Sequence, residues 1–119
     1  MKTYKDLIVW QKSIDVVKEI YAITRLFPRE EIYGLTNQMR RAAVSIPSNL
    51  AEGFSRGHKQ ENIQFIRIAF ASGAELETQI HIAKELGMAS KESFKRAEDL
   101  LDEVMKMLNS LFSKLKTSG

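Results

Sequence analysis

A stripe of polar side chains runs along the middle of the chain at steps of three or four residues: Gln38, Arg41, Ser45, Asn49 and Glu52. This spacing places the side chains on one face of a helix. A guanidinium, a hydroxyl, an amide and a carboxylate on one face suit three kinds of chemistry: a half-buried hydrogen-bond network, a ligand or nucleic-acid contact surface, or acid–base catalysis.

A second polar face lies further along the chain, where Ser72, Glu75 and Gln79 also recur at helical spacing. If the two segments are neighbours, Arg41 can pair with Glu75. Such a pair is weak evidence for stability, but it can fix helix register or subunit pairing. We predict a structural polar network made of Arg41, Ser45, Asn49, Glu52 and Glu75, with a binding surface as the alternative.

Catalytic and metal chemistry are not indicated by the residue types present. The chain has no cysteine, which excludes thiolate zinc sites and cysteine nucleophiles. Ser45 and Ser72 have no histidine at matching helical spacing. Glu77 and His81 lie four residues apart, but bundles that bind two metal ions need a second such pair. We therefore predict no enzyme activity, no metal and no cofactor.

Basic residues are slightly in excess, and the formal net charge is +3. Residues 1–57 hold nine Lys/Arg against six Asp/Glu, whereas residues 58–119 hold nine of each. This bias permits nucleic-acid contact without demonstrating it. One positive patch could form from Arg40, Arg41, Arg56, His58, Lys59 and Arg67; the alternative is ordinary solvated surface charge. No aromatic-rich RNA motif accompanies these residues, so sequence-specific base reading is not predicted.

The elements that must position these side chains are four amphipathic helices, since apolar residues recur at steps of three and four. We predict helices at about 5–26, 31–53, 59–86 and 90–116 within a single domain, 1–119. Pro28, Gly53, Gly87 and Ser90 mark their ends. Pro47 lies inside the second helix, where it predicts a kink near 43–47 or two shorter helices.

The fold class predicted from this pattern is all-α, an antiparallel up-down-up-down four-helix bundle. The third helix is apolar almost all round, which is more apolar surface than one copy of the chain can bury. Part of that surface is therefore predicted to meet another subunit. No signal peptide or membrane-spanning segment is predicted, and a cytoplasmic location is expected.

Four sequence blocks carry a resemblance to a known family: LIVWQKS at 7–13, FPREEIYGLT at 27–36, QMRRAAVSIPSNLAEG at 38–53 and ASGAELE at 71–77. They resemble the four-helix-bundle family encoded by intervening sequences of bacterial large-subunit ribosomal RNA genes. Recognisable motifs of the family cover roughly residues 4–88, whereas the last segment resembles the family only in its type of structure, a helix. The chain is more remotely similar to the accessory protein of diversity-generating retroelements, a bundle of the same type held to bind nucleic acid.

The resemblance implies a homopentameric barrel with a basic character. The positions it suggests for nucleic-acid contact are Arg40, Arg41, Arg56 and Lys59. The expected function is that of a non-catalytic oligomeric bundle protein that associates with RNA or DNA through basic patches. The alternative is a structural or adaptor protein that presents a pentameric surface to a protein partner. Neither a membrane nor a small-molecule substrate is expected as a partner.

Overall fold

The computed structural model describes residues 2–118, and all of the regular structure within them is helical. The four α-helices are α1 (Ile8–Thr24), α2 (Leu35–Ser55), α3 (Lys59–Glu85) and α4 (Lys95–Thr117). Short 3₁₀ helices precede α1, α2 and α4, at Tyr4–Asp6, Arg29–Glu31 and Lys91–Phe94. Between residues 2 and 118 the chain is therefore all-α with four helices and no strands, as predicted. None of its helices there has the length and apolar content that crossing a membrane requires.

The four helices enclose one elongated core, and the molecule measures 49 × 23 × 21 Å. Helix α2 packs against α1 and α3, and α4 packs against the same two helices. Each helix contributes fully buried apolar side chains to one continuous cluster; examples are Val16, Ile46, Leu76 and Leu108. The cluster includes Phe27, which follows α1, and Phe94, which precedes α4; their ring centroids lie 6.1 Å apart.

The start of α2 lies later than the predicted position, residue 31. Residues Arg29–Glu31 form a 3₁₀ helix, and the backbone at Gly34 is not helical (φ −112°, ψ −118°). The Glu31 carboxylate accepts a hydrogen bond from the Leu35 amide at 3.2 Å, which satisfies one donor in the first turn of α2. The acidic residues after Pro28 therefore precede the helix instead of forming its first turn, and one of them, Glu31, caps it.

Gly53 lies inside α2, although the sequence indicated it as the helix end. A Cβ atom at this position would lie 2.7 Å from the Asn62 Oδ1 and 2.8 Å from the Phe65 Cβ, both on α3. Gly53 therefore permits close approach of α2 and α3. The turn that follows uses Gly57, whose φ of 75° is a left-handed conformation that favours glycine. Helix α2 is continuous through Pro47, so the alternative of two shorter helices is wrong.

Helix α3 approaches α4 at Gly73, where an added Cβ would overlap the Met105 thioether. The helix ends with Gly87 in a left-handed conformation (φ 67°). The Gly87 amide donates to the Lys84 carbonyl at 3.1 Å, and the Met88 amide donates to the Ala83 carbonyl at 3.0 Å. These two bonds satisfy carbonyls that a helix end otherwise leaves without partners.

The apolar side chains of α3 are only partly covered by the other helices. Ile66 is fully buried, but Ile68, Phe70 and Ile82 are 46%, 40% and 41% exposed. Ile68 and Ile82 are separated by close to four helical turns, so they lie on similar sides of α3. One copy of the chain therefore buries part of the apolar surface of α3 and leaves an outward-facing part in solvent.

Candidate nucleic-acid interface

Three residues of the predicted polar stripes meet where α2 packs against α3. The hydroxyls of Ser45 and Ser72 are hydrogen-bonded at 2.8 Å. The Asn49 amide group donates to the Ser45 carbonyl and to the Ser45 hydroxyl, both at 2.8 Å. This small cluster links the two helices through the buried Ser72 and the half-buried Ser45 and Asn49, so it is suited to holding their register.

The other predicted members of the network lie apart from this cluster. Arg41 is exposed and forms no hydrogen bond or ion pair with any other residue between 2 and 118, so the expected contact with Glu75 is absent there. Glu75 instead accepts a hydrogen bond from Gln79 at 3.3 Å, and Glu52 pairs with Arg56 at 3.1 Å. Arg41 is exposed, whereas Ser45, about one turn further along α2, is half-buried.

Arg40 is a packing residue in this structure, although the resemblance suggested it for nucleic-acid contact. Its Nε donates to the Thr24 hydroxyl at 2.9 Å, and its guanidinium lies 4.5 Å from the centroid of the Tyr21 ring. Both partners belong to α1. Arg40 is half-buried, and it joins the start of α2 to the end of α1.

Arg56 is paired with two carboxylates at the end of α2. Its guanidinium lies 3.1 Å from the Glu52 carboxylate and 3.3 Å from the Glu61 carboxylate. These contacts, the hydrogen bond to Glu52 first among them, raise the pKa of Arg56. The guanidinium also lies 5.1 Å from the centroid of the Phe65 ring. Its charge is therefore largely balanced within the protein, which weakens its attraction for a phosphate.

Lys59 lies at one end of a groove between α3 and α4, which we call the basic groove. The groove is formed by side chains from 59–71 of α3 and 108–116 of α4, and it comprises two adjoining cavities of about 480 and 250 Å³. Both cavities are lined by Arg67, Phe112 and Lys116. The Lys59 ammonium donates to the Ser118 backbone carbonyl, so the start of α3 lies beside the end of α4.

Two cations of the basic groove lie near the same aromatic ring. The Arg67 guanidinium is 5.8 Å from the centroid of Phe112, and the Lys116 ammonium is 5.5 Å from it. Neither cation forms an ion pair with an acidic residue between 2 and 118, and no acidic side chain lines the groove within that range. The basic patch predicted from the sequence included Lys59 and Arg67 but missed Phe112 and Lys116. The four-residue spacing of these two residues, which places them on one face of α4, was the available signal.

The opposite part of the α3–α4 interface is lined by acidic side chains. A cavity of about 290 Å³ there is lined by Glu77, His81, Glu98 and Asp102, among others. Glu98 and Asp102 pair with Lys84 and Lys106, at 2.8 and 3.1 Å. His81 lies 3.7 Å from the Glu85 carboxylate. Residues 2–118 contain no cluster of three or more histidine or acidic side chains arranged to hold a metal ion.

Comparisons with known proteins identify both a family and a fold. The model of the family described as 23S rRNA-intervening sequence protein matches residues 5–110. One similar solved structure is described as a protein with unknown function from the S23 ribosomal protein family from Bacteroides thetaiotaomicron VPI-5482. It has a TM-score of 0.82 and 20% identity, over 89% of this chain and 96% of that chain. At this identity the likeness shows the fold alone. A search of curated proteins finds no significant match.

Proposed function

Because the chain belongs to the 23S rRNA-intervening sequence protein family, we propose that it is a non-catalytic, oligomeric four-helix bundle protein that associates with RNA or DNA. The proposed contact surface is the basic groove. The observation that carries this proposal is a groove that holds Lys59, Arg67 and Lys116 and that no acidic side chain from residues 2–118 lines. Cations grouped in this way attract the phosphate backbone without regard to sequence.

The residues first suggested for nucleic-acid contact have unequal parts in this proposal. Lys59 belongs to the basic groove, and Arg41 is exposed and available as a secondary contact. Arg56 contributes less, because two carboxylates already balance its charge. Arg40 contributes least, since its guanidinium is held by Thr24 and Tyr21.

The proposed bundle has antiparallel up-down-up-down order. Contacts between element ends support this order. The end of α3 meets the start of α4 through Lys84 and Glu98, at 2.8 Å, and the start of α3 meets the end of α4 through Lys59 and the Ser118 carbonyl. At the end of α1, Arg40 reaches back from the start of α2 to Thr24.

Self-association is proposed to cover the outward apolar face of α3, with a homopentamer as the form that the family resemblance implies. Light scattering should give a mass several times the 13.6 kDa of one chain. Replacing both Ile68 and Ile82, each more than 40% exposed, with lysine should lower that mass, because unpaired charges do not tolerate burial in an apolar interface. Ile8→Lys is the control, since Ile8 is also exposed but lies on α1. A monomeric wild-type protein would contradict the proposal.

Nucleic-acid association is tested by removing Arg67 and Lys116, the groove cations for which residues 2–118 provide no acidic partner. In fluorescence anisotropy titrations with a labelled RNA hairpin, the Arg67→Ala/Lys116→Ala variant should bind more weakly. The slope of log K against log salt should become shallower by about 1.4–1.8, since each lost phosphate contact accounts for about 0.7–0.9.

The matched control is Arg96→Ala/Lys106→Ala, which removes the same two residue types from α4. Both control residues already pair with acidic side chains, Glu19 and Asp102 respectively. Equal loss of affinity in the two double variants would show that net charge, and not the basic groove, drives binding. Failure of the wild-type protein to bind RNA or DNA at low salt would refute the proposed function.

A further inference from the structure

We infer that the basic groove receives unpaired nucleotides of a single strand, with bases entering its apolar cavity and phosphates contacting the cations at its rim. This inference rests on the proposed function and specifies which form of nucleic acid the groove takes. The three features that carry it are the apolar floor of the larger cavity, the position of the cations beside that floor, and the amide side chains along the edge.

The floor of the larger cavity is apolar and aromatic. Ile66 and Leu108 are buried beneath it, and the rings of Phe70 and Phe112 line it. A cavity of about 480 Å³ falls within the usual range for ligand sites, about 300–1,000 Å³. A duplex presents mainly phosphates and sugars to such a surface, because its bases are stacked inside. An unpaired base has an exposed π-face that can contact an aromatic side chain.

The cations lie over the Phe112 ring on flexible side chains, within reach of a phosphate next to a base bound there. Arg67 and Lys116 are held 5.8 and 5.5 Å from the centroid of Phe112, the ring that a base would contact. A nucleotide joins an aromatic base to an anionic phosphate through one sugar, so it matches an aromatic floor with adjoining cations. Both cations lack an acidic partner within residues 2–118, so binding a phosphate breaks no ion pair there.

The amide side chains along the groove favour a nucleotide over a purely apolar anion such as a fatty acid. Gln60, Gln64 and Asn109 line the two cavities. Each amide carries both a donor and an acceptor, as the edges of the bases do. A hydrocarbon chain cannot form hydrogen bonds with these amides. The contacts expected are stacking contacts and contacts from exposed, rotatable amides, so base identity should have a small effect on affinity.

The test compares single-stranded (dT)12 with the (dT)12·(dA)12 duplex by fluorescence anisotropy. Phe112→Leu keeps an apolar side chain but removes the aromatic ring, so it should weaken (dT)12 binding about tenfold, the scale of one lost base–aromatic stack. Duplex binding should change less than about twofold, because it depends on the cations. Phe65→Leu is the control, since Phe65 lies beneath the Arg56 guanidinium but lines neither groove cavity.

A crosslinking measurement identifies the contact directly. An oligonucleotide carrying 5-iododeoxyuridine, irradiated on the wild-type protein, should attach to tryptic peptide 107–114 or 68–84, which contain Phe112 and Phe70. Attachment confined to other peptides would overturn the inference. If circular dichroism shows that Phe112→Leu does not fold, Phe70→Leu replaces it in the anisotropy comparison. Phe70 is 40% exposed, so its substitution should leave the fold intact.

The inference and the proposed function fail in different ways. Equal affinity for (dT)12 and the duplex, unchanged in Phe112→Leu, would overturn the inference and leave general phosphate binding in place. Absence of binding to both probes at low salt would overturn the proposed function together with the inference. Displacement of (dT)12 by micromolar dodecanoate, with no comparable effect of deoxythymidine monophosphate, would also overturn the inference, because the cavity would then prefer a hydrocarbon chain.

Discussion

Replacing Phe94 with alanine is expected to lower the free energy of unfolding by about 3–5 kcal/mol. The Phe94 side chain is 0% exposed and is the largest of the fully buried side chains. Its ring lies 6.1 Å from that of Phe27, so it joins the segment after α1 to the segment before α4. Truncation leaves a cavity that the surrounding helices can fill only in part. Urea denaturation followed by circular dichroism measures the loss.

The control for this substitution is Phe70→Ala, which removes the same ring from a side chain that is 40% exposed. Its cost should be well below that of Phe94→Ala, because part of the ring is already in water. Both variants must be compared at one protein concentration, since the proposed self-association would make the apparent stability depend on concentration. Equal destabilisation by the two substitutions would show that Phe94 does not occupy the core as described.

Replacing Gly53 with alanine is expected to lower the free energy of unfolding by roughly 1–3 kcal/mol, the usual cost of overpacking. In an exposed helix the same change would stabilise by about 1 kcal/mol. Here the new methyl group would lie 2.8 Å from the Phe65 Cβ and 3.3 Å from the Asn62 Cα. These atoms belong to or adjoin the α3 backbone, so the two helices must move apart.

Gly73→Ala is the matched comparison, because Gly73 is also a buried glycine within a helix. The group that its methyl would meet is the Met105 thioether, the flexible end of a side chain. Methionine adapts its rotamer readily, so Gly73→Ala should cost less than Gly53→Ala. Thermal unfolding of both variants measures the difference. A stabilising effect of Gly53→Ala would contradict the close approach of α2 and α3.

The two glycines also show why helix boundaries were harder to predict than the helices themselves. The apolar periodicity indicated four helices because each helix must bury one face, and this need is repeated over many residues. A single glycine gives no repeated signal of this kind. Glycine permits close packing at position 53 and a left-handed helix end at position 87. Only the position of the neighbouring helix distinguishes these roles. The contact among Ser45, Ser72 and Asn49 was only partly accessible from spacing, because the same stripes carry Arg41, Glu52 and Glu75, which lie outside it.

Counting the charged residues along the sequence did not reveal the basic groove. The excess of basic residues lies in 1–57, yet Arg56 in that half is balanced by carboxylates and Arg40 is engaged by α1. Residues 58–119 have equal numbers of both signs, but folding brings Lys59, Arg67 and Lys116 into one groove without an acidic side chain from residues 2–118 in its lining. A linear count cannot detect this grouping, because α3 and α4 each contribute residues to it.

The distance between the basic groove and the acidic cavity has a consequence for the proposed encounter with a polyanion. Arg67 and Glu77 are ten residues apart on α3, which is about 15 Å along the axis. This exceeds the screening distance in physiological salt, about 8 Å. In the proposed complex, a strand seated on the cations would therefore be screened from these carboxylates. At low ionic strength the cations of the basic groove would turn the 49 Å long axis toward a polyanion before contact.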